Sequence, residues 1–316
     1  MSRLPFQIGH VGVPPIKCQG IKTKLVPFIF SSLQWEGKDG ARWIEPFLGS
    51  GVMVLNLAPQ HALLSDTNKH IIGFYQAIQR GELDRGIVRE FLTCEGEKLA
   101  TGGADYYYKV RQRFNHEGSP LDFLFLNRSC FNGVMRFNGQ GKFNVPFGHK
   151  PHRFTPAYIT KIVNQVGWAA KQMRNKDWEF RVARWDEVLA SAQPDDFVYL
   201  DPPYIGRHTD YYNSWDEAEA VRLASKAKVL CCGFALSMWL ENRYRKNEHL
   251  AEYWSGLEFR VCSHFYHVGS TESLRNEMDE ALVIKPGFAM PDRGKQQSKK
   301  SAIEQAPVTL PLFTSS

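Results

Sequence analysis

Residues 196–204 read Asp-Phe-Val-Tyr-Leu-Asp-Pro-Pro-Tyr, and no other stretch constrains the fold as tightly. An apolar run of this kind suits a buried strand of a wound α/β sheet. It leads directly into Asp201, and the double proline after it stiffens the backbone. Ligands of such sheets bind at the carboxyl ends of the strands, so Asp201 is expected at the ligand edge.

Other segments supply the rest of the sheet. Ala41–Phe47 reads as a strand, Gly49-Ser50-Gly51 as a turn and Val52–Leu57 as a helix. Ala62–Asp66 is a short strand ending in an acid, and Thr67 or Asn68 can cap a helix carrying Ile71, Ile72, Phe74, Tyr75 and Ile78. Lys228–Cys232 and Glu280–Ile284 read as further strands. Strands alternating with helices predict a Rossmann-like α/β architecture. Asp66 and Asp196 lie too far apart for one crossover helix, which predicts an inserted, mostly helical lobe. Strand and turn signals return at Asp122–Gly148, with Asn138-Gly139-Gln140-Gly141 as a hairpin tip. From Gly287 the chain turns polar and reads as a flexible tail.

The bulk properties exclude several classes. With 43% hydrophobic residues in 316, a core can form. No apolar run approaches the ~20 residues of a membrane span, and Met1–His10 lacks a secretion signal, so a cytoplasmic location without membrane contact is expected. The six cysteines form no C-x-x-C, and the pairs His149/His152 and His264/His267 lack further ligands; no metal is expected. A net charge of +6 favours a polyanionic partner.

The glycine turn lets a ligand approach the backbone closely, and Asp66 can accept hydrogen bonds from ribose hydroxyls. The pattern lacks both G-x-G-x-x-G and a P-loop, and fits S-adenosylmethionine or a dinucleotide; a turn that serves packing alone is the alternative. Asp201-Pro202-Pro203-Tyr204 is more informative. An exocyclic amine is a poor nucleophile because its lone pair is delocalised into the ring. The Asp201 carboxylate and Pro202 carbonyl, aimed at its two protons, would localise that lone pair, while Tyr204 offers a face to a flipped base. Cytosine C5 chemistry requires a nucleophilic cysteine after a proline, and none of the six stands so.

Five blocks together resemble the DNA N6-adenine methyltransferases of the Dam type: Pro14–Lys22, Glu45–Gly51, Leu64–Asn68, Phe123–Gly148 and Asp201–Tyr204. The closest likeness is to the EcoRV modification methyltransferase. The resemblance covers about residues 12–286. It implies an S-adenosylmethionine-dependent methyltransferase fold, with 1–75 and 190–286 as catalytic domain, 76–189 as target-recognition domain with a hairpin at 128–148, and 287–316 as tail. Asp201, Pro202 and Tyr204 would be catalytic. Cys18, Lys22, Phe47, Gly49, Gly51, Asp66 and Asp201 would hold the cofactor; Cys18 stands where the family often has Trp. Arg128, Phe131, Asn132, Arg136, Asn138 and Lys142 would meet DNA, with Phe131 as a wedge; Phe137 and Phe143 read as a small core beneath the hairpin. Residues 205–213 resemble a loop that closes over the base.

The expected activity is methylation of adenine N6 in double-stranded DNA by base flipping, at a GATATC-like site. A monomer acting beside a cognate restriction endonuclease is implied. Alternatives are a solitary or phage enzyme acting at GATC, an N4-cytosine or RNA methyltransferase, and an inactive DNA-binding relative.

Overall fold

A computed structural model of the chain describes residues 2–203, 215–242, 247–265 and 277–291. Its centre is a seven-stranded sheet. In chain order the elements are β1 (Arg3–Leu4), α1 (Val26–Ser32), β2 (Trp35–Glu36), β3 (Arg42–Glu45), α2 (Val52–Leu57), β4 (His61–Asp66) and α3 (Lys69–Gln79). Then follow α4 (Arg85–Glu117), α5 (Pro120–Ser129), α6 (Pro156–Met173), β5 (Asp177–Val182), α7 (Trp185–Leu189) and β6 (Phe197–Leu200). The described chain ends with α8 (Glu217–Lys228), β7 (Gly233–Asn242), α9 (Glu248–Tyr253), β8 (Glu258–Phe265) and β9 (Glu277–Ile284). The sheet order is β5-β4-β3-β6-β7-β9-β8; β5 to β7 run parallel in that row, and β9 is antiparallel to both its neighbours. Strands β1 and β2 pair separately.

Alternation along the strands divides the core between the two faces. Trp43, Leu64, Phe197 and Tyr199 point into one cluster with α1, α2, α3, α5 and α6. Ile44, Leu63, Val198 and Leu200 point into the other, with α7, α8 and Trp254. Burial of each such large side chain contributes roughly 1.5–3 kcal/mol. Because β3 has β4 on one side and β6 on the other, the chain leaves β3 and β6 in opposite directions. That arrangement opens a crevice beyond their carboxyl ends.

Between α3 and β5 the chain is mainly helical. Asp84 caps α4, accepting from the Ile87 amide at 2.8 Å, and α4 breaks at Gly103, whose φ is 54°. Arg113 joins α4 to α5, reaching Glu95 at 2.8 Å and Asp122 at 2.5 Å. No helix among the described residues is long and apolar enough to cross a membrane.

The structure departs from the sequence reading in four places. Lys228–Cys232 is no strand: α8 ends at Lys228, Val229 is exposed, and the strand begins at Gly233. Asp177–Val182, within the segment read as recognition domain, is the outer strand of the central sheet, paired along its length with β4. The strand signals at Asp122 fall within helix α5, and Asn138–Gly141 closes an irregular turn rather than a regular hairpin, held by bridges Phe137↔Phe143 and Cys130↔Phe147. The first residues of the expected tail are anchored: Phe288 packs on Phe197 at 5.9 Å, and the Met290 amide donates to the Ser32 carbonyl at 2.9 Å. Residues after 291 lie outside the described ones.

Candidate active site

The turn after β3 is built on two left-handed glycines, with φ of 49° at Gly49 and 67° at Gly51. A side chain there would be strained, and at Gly49 its Cβ would also lie 3.4 Å from the Cys18 sulfur. Asp66 clamps the turn to the end of β4. Its carboxylate accepts from the Gly49 amide at 3.0 Å and from the Asn68 amide at 2.8 Å. Burial raises its pKa, and the backbone N–H groups of Asn68, Gly49 and Thr67 oppose that rise. Asn68, one of the two predicted caps, accepts from the His70 amide at 3.0 Å and starts α3.

Asp201 follows β6 directly. Its carboxylate meets the Lys22 ammonium at 2.9 Å, with the lysine side chain 2% exposed and the aspartate 25%. Burial raises the Asp201 pKa, while Lys22 pulls it down. The segment that delivers Lys22 is fixed from behind: the Lys17 amide donates to Asn127 Oδ1 at 2.7 Å, and Asn127 Nδ2 donates to the Lys17 carbonyl at 2.9 Å. Burial, reinforced by Asp66 and Asp201, pushes the Cys18 thiol up to about 12, so it is no nucleophile.

These pieces face one cavity of about 210 Å³. Cys18, Lys22, Phe47, Gly49, Asp66, Asp201 and Pro202 all line it, while Gly51 stands behind the turn against Tyr75. Tyr204 and residues 205–213 lie outside the described residues.

The sequence reading missed the opposite wall. Phe47 meets Trp215 edge-on at 5.5 Å, and Trp185 meets Trp215 at 6.5 Å, giving that end three aromatic side chains. Trp185 is held by Glu219, which accepts from its indole at 3.0 Å and pairs with Arg184 at 3.2 Å and Arg222 at 2.6 Å. The Trp215 indole nitrogen is buried with no hydrogen-bond partner among the described residues. Such a donor in a cavity wall is normally satisfied by a ligand or water. No local pattern announces Trp185 or Trp215, since helices α7 and α8 bring them together from separate segments. Glu45 also lines the cavity; it lies inside a motif block but had no role assigned.

Residues 128–148 divide into two groups. Phe131 is 49% exposed, and Asn132, Asn138 and Lys142 are also exposed. Asn132 has φ of 53°. Asn138 Oδ1 accepts from the amides of Gln140 and Lys142, both at 3.0 Å, and shapes the turn. Arg136 is half-buried and donates to Asn144 Oδ1 at 2.9 Å. Phe137 and Phe143 are buried and pack edge-on at 5.5 Å, as expected; Phe137 and Met135 also reach the cavity wall. Arg128 corrects the sequence reading. It is 4% exposed, and its guanidinium donates inward to the Pro15 carbonyl at 2.8 Å and to Gln165 at 2.6 Å, so it presents no charge to a surface partner.

Comparison with known proteins agrees with this geometry. The model of the family described as D12 class N6 adenine-specific DNA methyltransferase matches residues 19–268. The DNA adenine methylase of Serratia marcescens is 31% identical over 199 residues, covering 59% of this chain and 69% of the relative. The type II methyltransferase M.MjaIII of Methanocaldococcus jannaschii is 30% identical over 210 residues, 60% of this chain and 68% of the relative. A DNA adenine methylase of Vibrio cholerae is 28% identical over 257 residues, 76% and 86% of the two chains. With most of its length matched, and an acidic strand end facing a glycine-turn cavity, the chain belongs to the D12 class of N6 adenine-specific DNA methyltransferases.

Proposed function

We propose that the chain transfers a methyl group from S-adenosylmethionine to N6 of an adenine flipped out of duplex DNA, within a GATATC-like site. It would act as a monomer and as the modification partner of a restriction endonuclease. The observation that carries the chemistry is the position of Asp201: it shares one cavity with the glycine turn and Asp66.

The cavity fits the cofactor. It has an aromatic end with an unsatisfied indole donor for a purine, Asp66 for ribose hydroxyls, and Lys22 for a carboxylate. When bound, S-adenosylmethionine supplies a methyl group already activated by a sulfonium. Catalysis then rests on positioning and charge placement by the chain. The Asp201 carboxylate and the Pro202 carbonyl accept the two amine protons and localise the lone pair. Lys22 favours the ionised form of Asp201 that this role requires, against the pull of burial. Tyr204 offers its ring to the flipped base. A proton lost after transfer needs no separate base.

The helices α4 to α6 and the irregular hairpin form the recognition unit in this reading. Phe131, exposed just after α5 at the base of the hairpin, enters the duplex beside the flipped adenine; Asn132, Asn138 and Lys142 supply further exposed polar groups, and Arg136 reads a base. Phe131→Ala is expected to keep cofactor affinity and slow extrusion of a fluorescent adenine analogue; unchanged extrusion would remove the wedge. Arg136→Ala is expected to relax choice at one base pair by roughly 1–3 kcal/mol in methylation assays on single-substitution sites. Uniform weakening across all sites would make it a phosphate contact instead.

Sequencing that detects modified bases, on DNA from cells expressing the chain, tests the whole reading. N6-methyladenine within GATATC is the expected result. Methylation confined to GATC would replace the site and favour a solitary role, and N4-methylcytosine would overturn the substrate.

A further inference from the structure

Glu45 ends β3, lines the cavity and is 2% exposed. Its carboxyl accepts from the Trp43 indole at 2.6 Å, and no ion pair to it is found among the described residues. An uncompensated buried carboxylate is costly, so such a group holds its proton until a cation arrives. The neighbouring groups agree. Asp201 repels a charge on Glu45, and the Lys22 ammonium is engaged with Asp201 at 2.9 Å. The phenols of Tyr75 and Tyr199 are held well above their usual pKa, chiefly by burial, and stay neutral. The Glu45 pKa is itself pushed up to about 8 by burial, against the Trp43 and Val54 hydrogen bonds and with Asp201 adding to the rise.

We propose that Glu45 senses the positive charge of the methyl donor: it is protonated in the empty cavity and ionises when a sulfonium enters, so loading releases a proton. The proposal rests on the cofactor reading above. It gives the site a means to separate donor from spent product. S-adenosylmethionine carries one more positive charge than S-adenosylhomocysteine, which lacks the sulfonium and so gains nothing from an ionised Glu45. Only the ionised fraction is competent for this contact. Donor affinity should therefore rise at least roughly tenfold between pH 6 and pH 8, while product affinity stays nearly level.

Calorimetry in buffers of different ionisation enthalpy measures the proton directly. With the full chain at pH 7, S-adenosylmethionine should release close to one proton more than S-adenosylhomocysteine, and Glu45→Gln should abolish the difference while still binding the product. Trp43→Phe, which removes the one indole donor, should move the midpoint of the release upward in pH. An undiminished donor-specific release in Glu45→Gln, or an unmoved midpoint in Trp43→Phe, would overturn the proposal and leave the cofactor reading intact. Failure of both compounds to bind the wild-type chain would overturn the two together.

Discussion

Asp201→Ala is expected to lower methyl transfer by roughly 10³-fold or more while the sheet still folds. The carboxylate lies at the end of β6, where strand pairing with β3 and β7 fixes the backbone, so truncation does not loosen the frame that carries it. What is lost is the acceptor that would localise the adenine lone pair, and with it the partner of Lys22 at 2.9 Å. Removing that ion pair weakens the setting of a buried ammonium, so cofactor affinity should fall as well. Asp201→Asn separates the effects, since it keeps the shape and removes the charge. Transfer of labelled methyl groups to duplex DNA gives the rate, and thermal melting checks the fold; a folded Asp201→Ala protein with full activity would refute the acceptor role. The same carboxylate sets a pH limit. The reaction uses its ionised form, so kcat/KM should fall as pH drops through its pKa. That acid limb should lie above the ordinary carboxylate range, because burial raises the pKa against the pull of Lys22.

Asp201, Asp66 and Gly49 were readable in the chain because each sits where local rules act: a buried strand followed by an acid, or a turn that only glycine tolerates. Their convergence follows from topology, since β3, β4 and β6 are parallel neighbours and expose their carboxyl ends together. Edge strands were harder. Asp177–Val182 mixes charge with Trp178 and Phe180 because only one side of it is covered, and this weakens the signal a buried strand gives. Lys228–Cys232 misled for the opposite reason, an apolar run that closes a helix and a turn before the strand starts. Trp185, Trp215 and Glu219 meet only through tertiary packing, and no window of sequence holds all three.

Arg128 shows how a charge can mislead, and its replacement carries the second large effect. Within a basic, amide-rich block the residue reads as a DNA contact. Helix α5 instead turns it inward, where its guanidinium satisfies the Pro15 carbonyl and Gln165 in a site 4% exposed. Burial lowers its pKa, Tyr158 beside it opposes that fall, and the Pro15 carbonyl and Gln165 accept from the guanidinium. Arg128→Met keeps much of the volume and leaves two buried acceptors unpaired, each costing about 1–3 kcal/mol. A total of roughly 2–6 kcal/mol should lower the melting temperature by on the order of 10 °C. Pro15 lies three residues before Cys18, so the loss also loosens the strap that delivers Lys22 to Asp201, leaving it to the Asn56 contacts with Gly12 and the Asn127 contacts with Lys17. Cofactor affinity should therefore weaken together with stability, whereas discrimination among DNA sites, measured on the folded fraction, should not change. A variant that melts normally but loses site choice would restore Arg128 to the DNA interface and place the fault in the packing of α5 against the N-terminal strap.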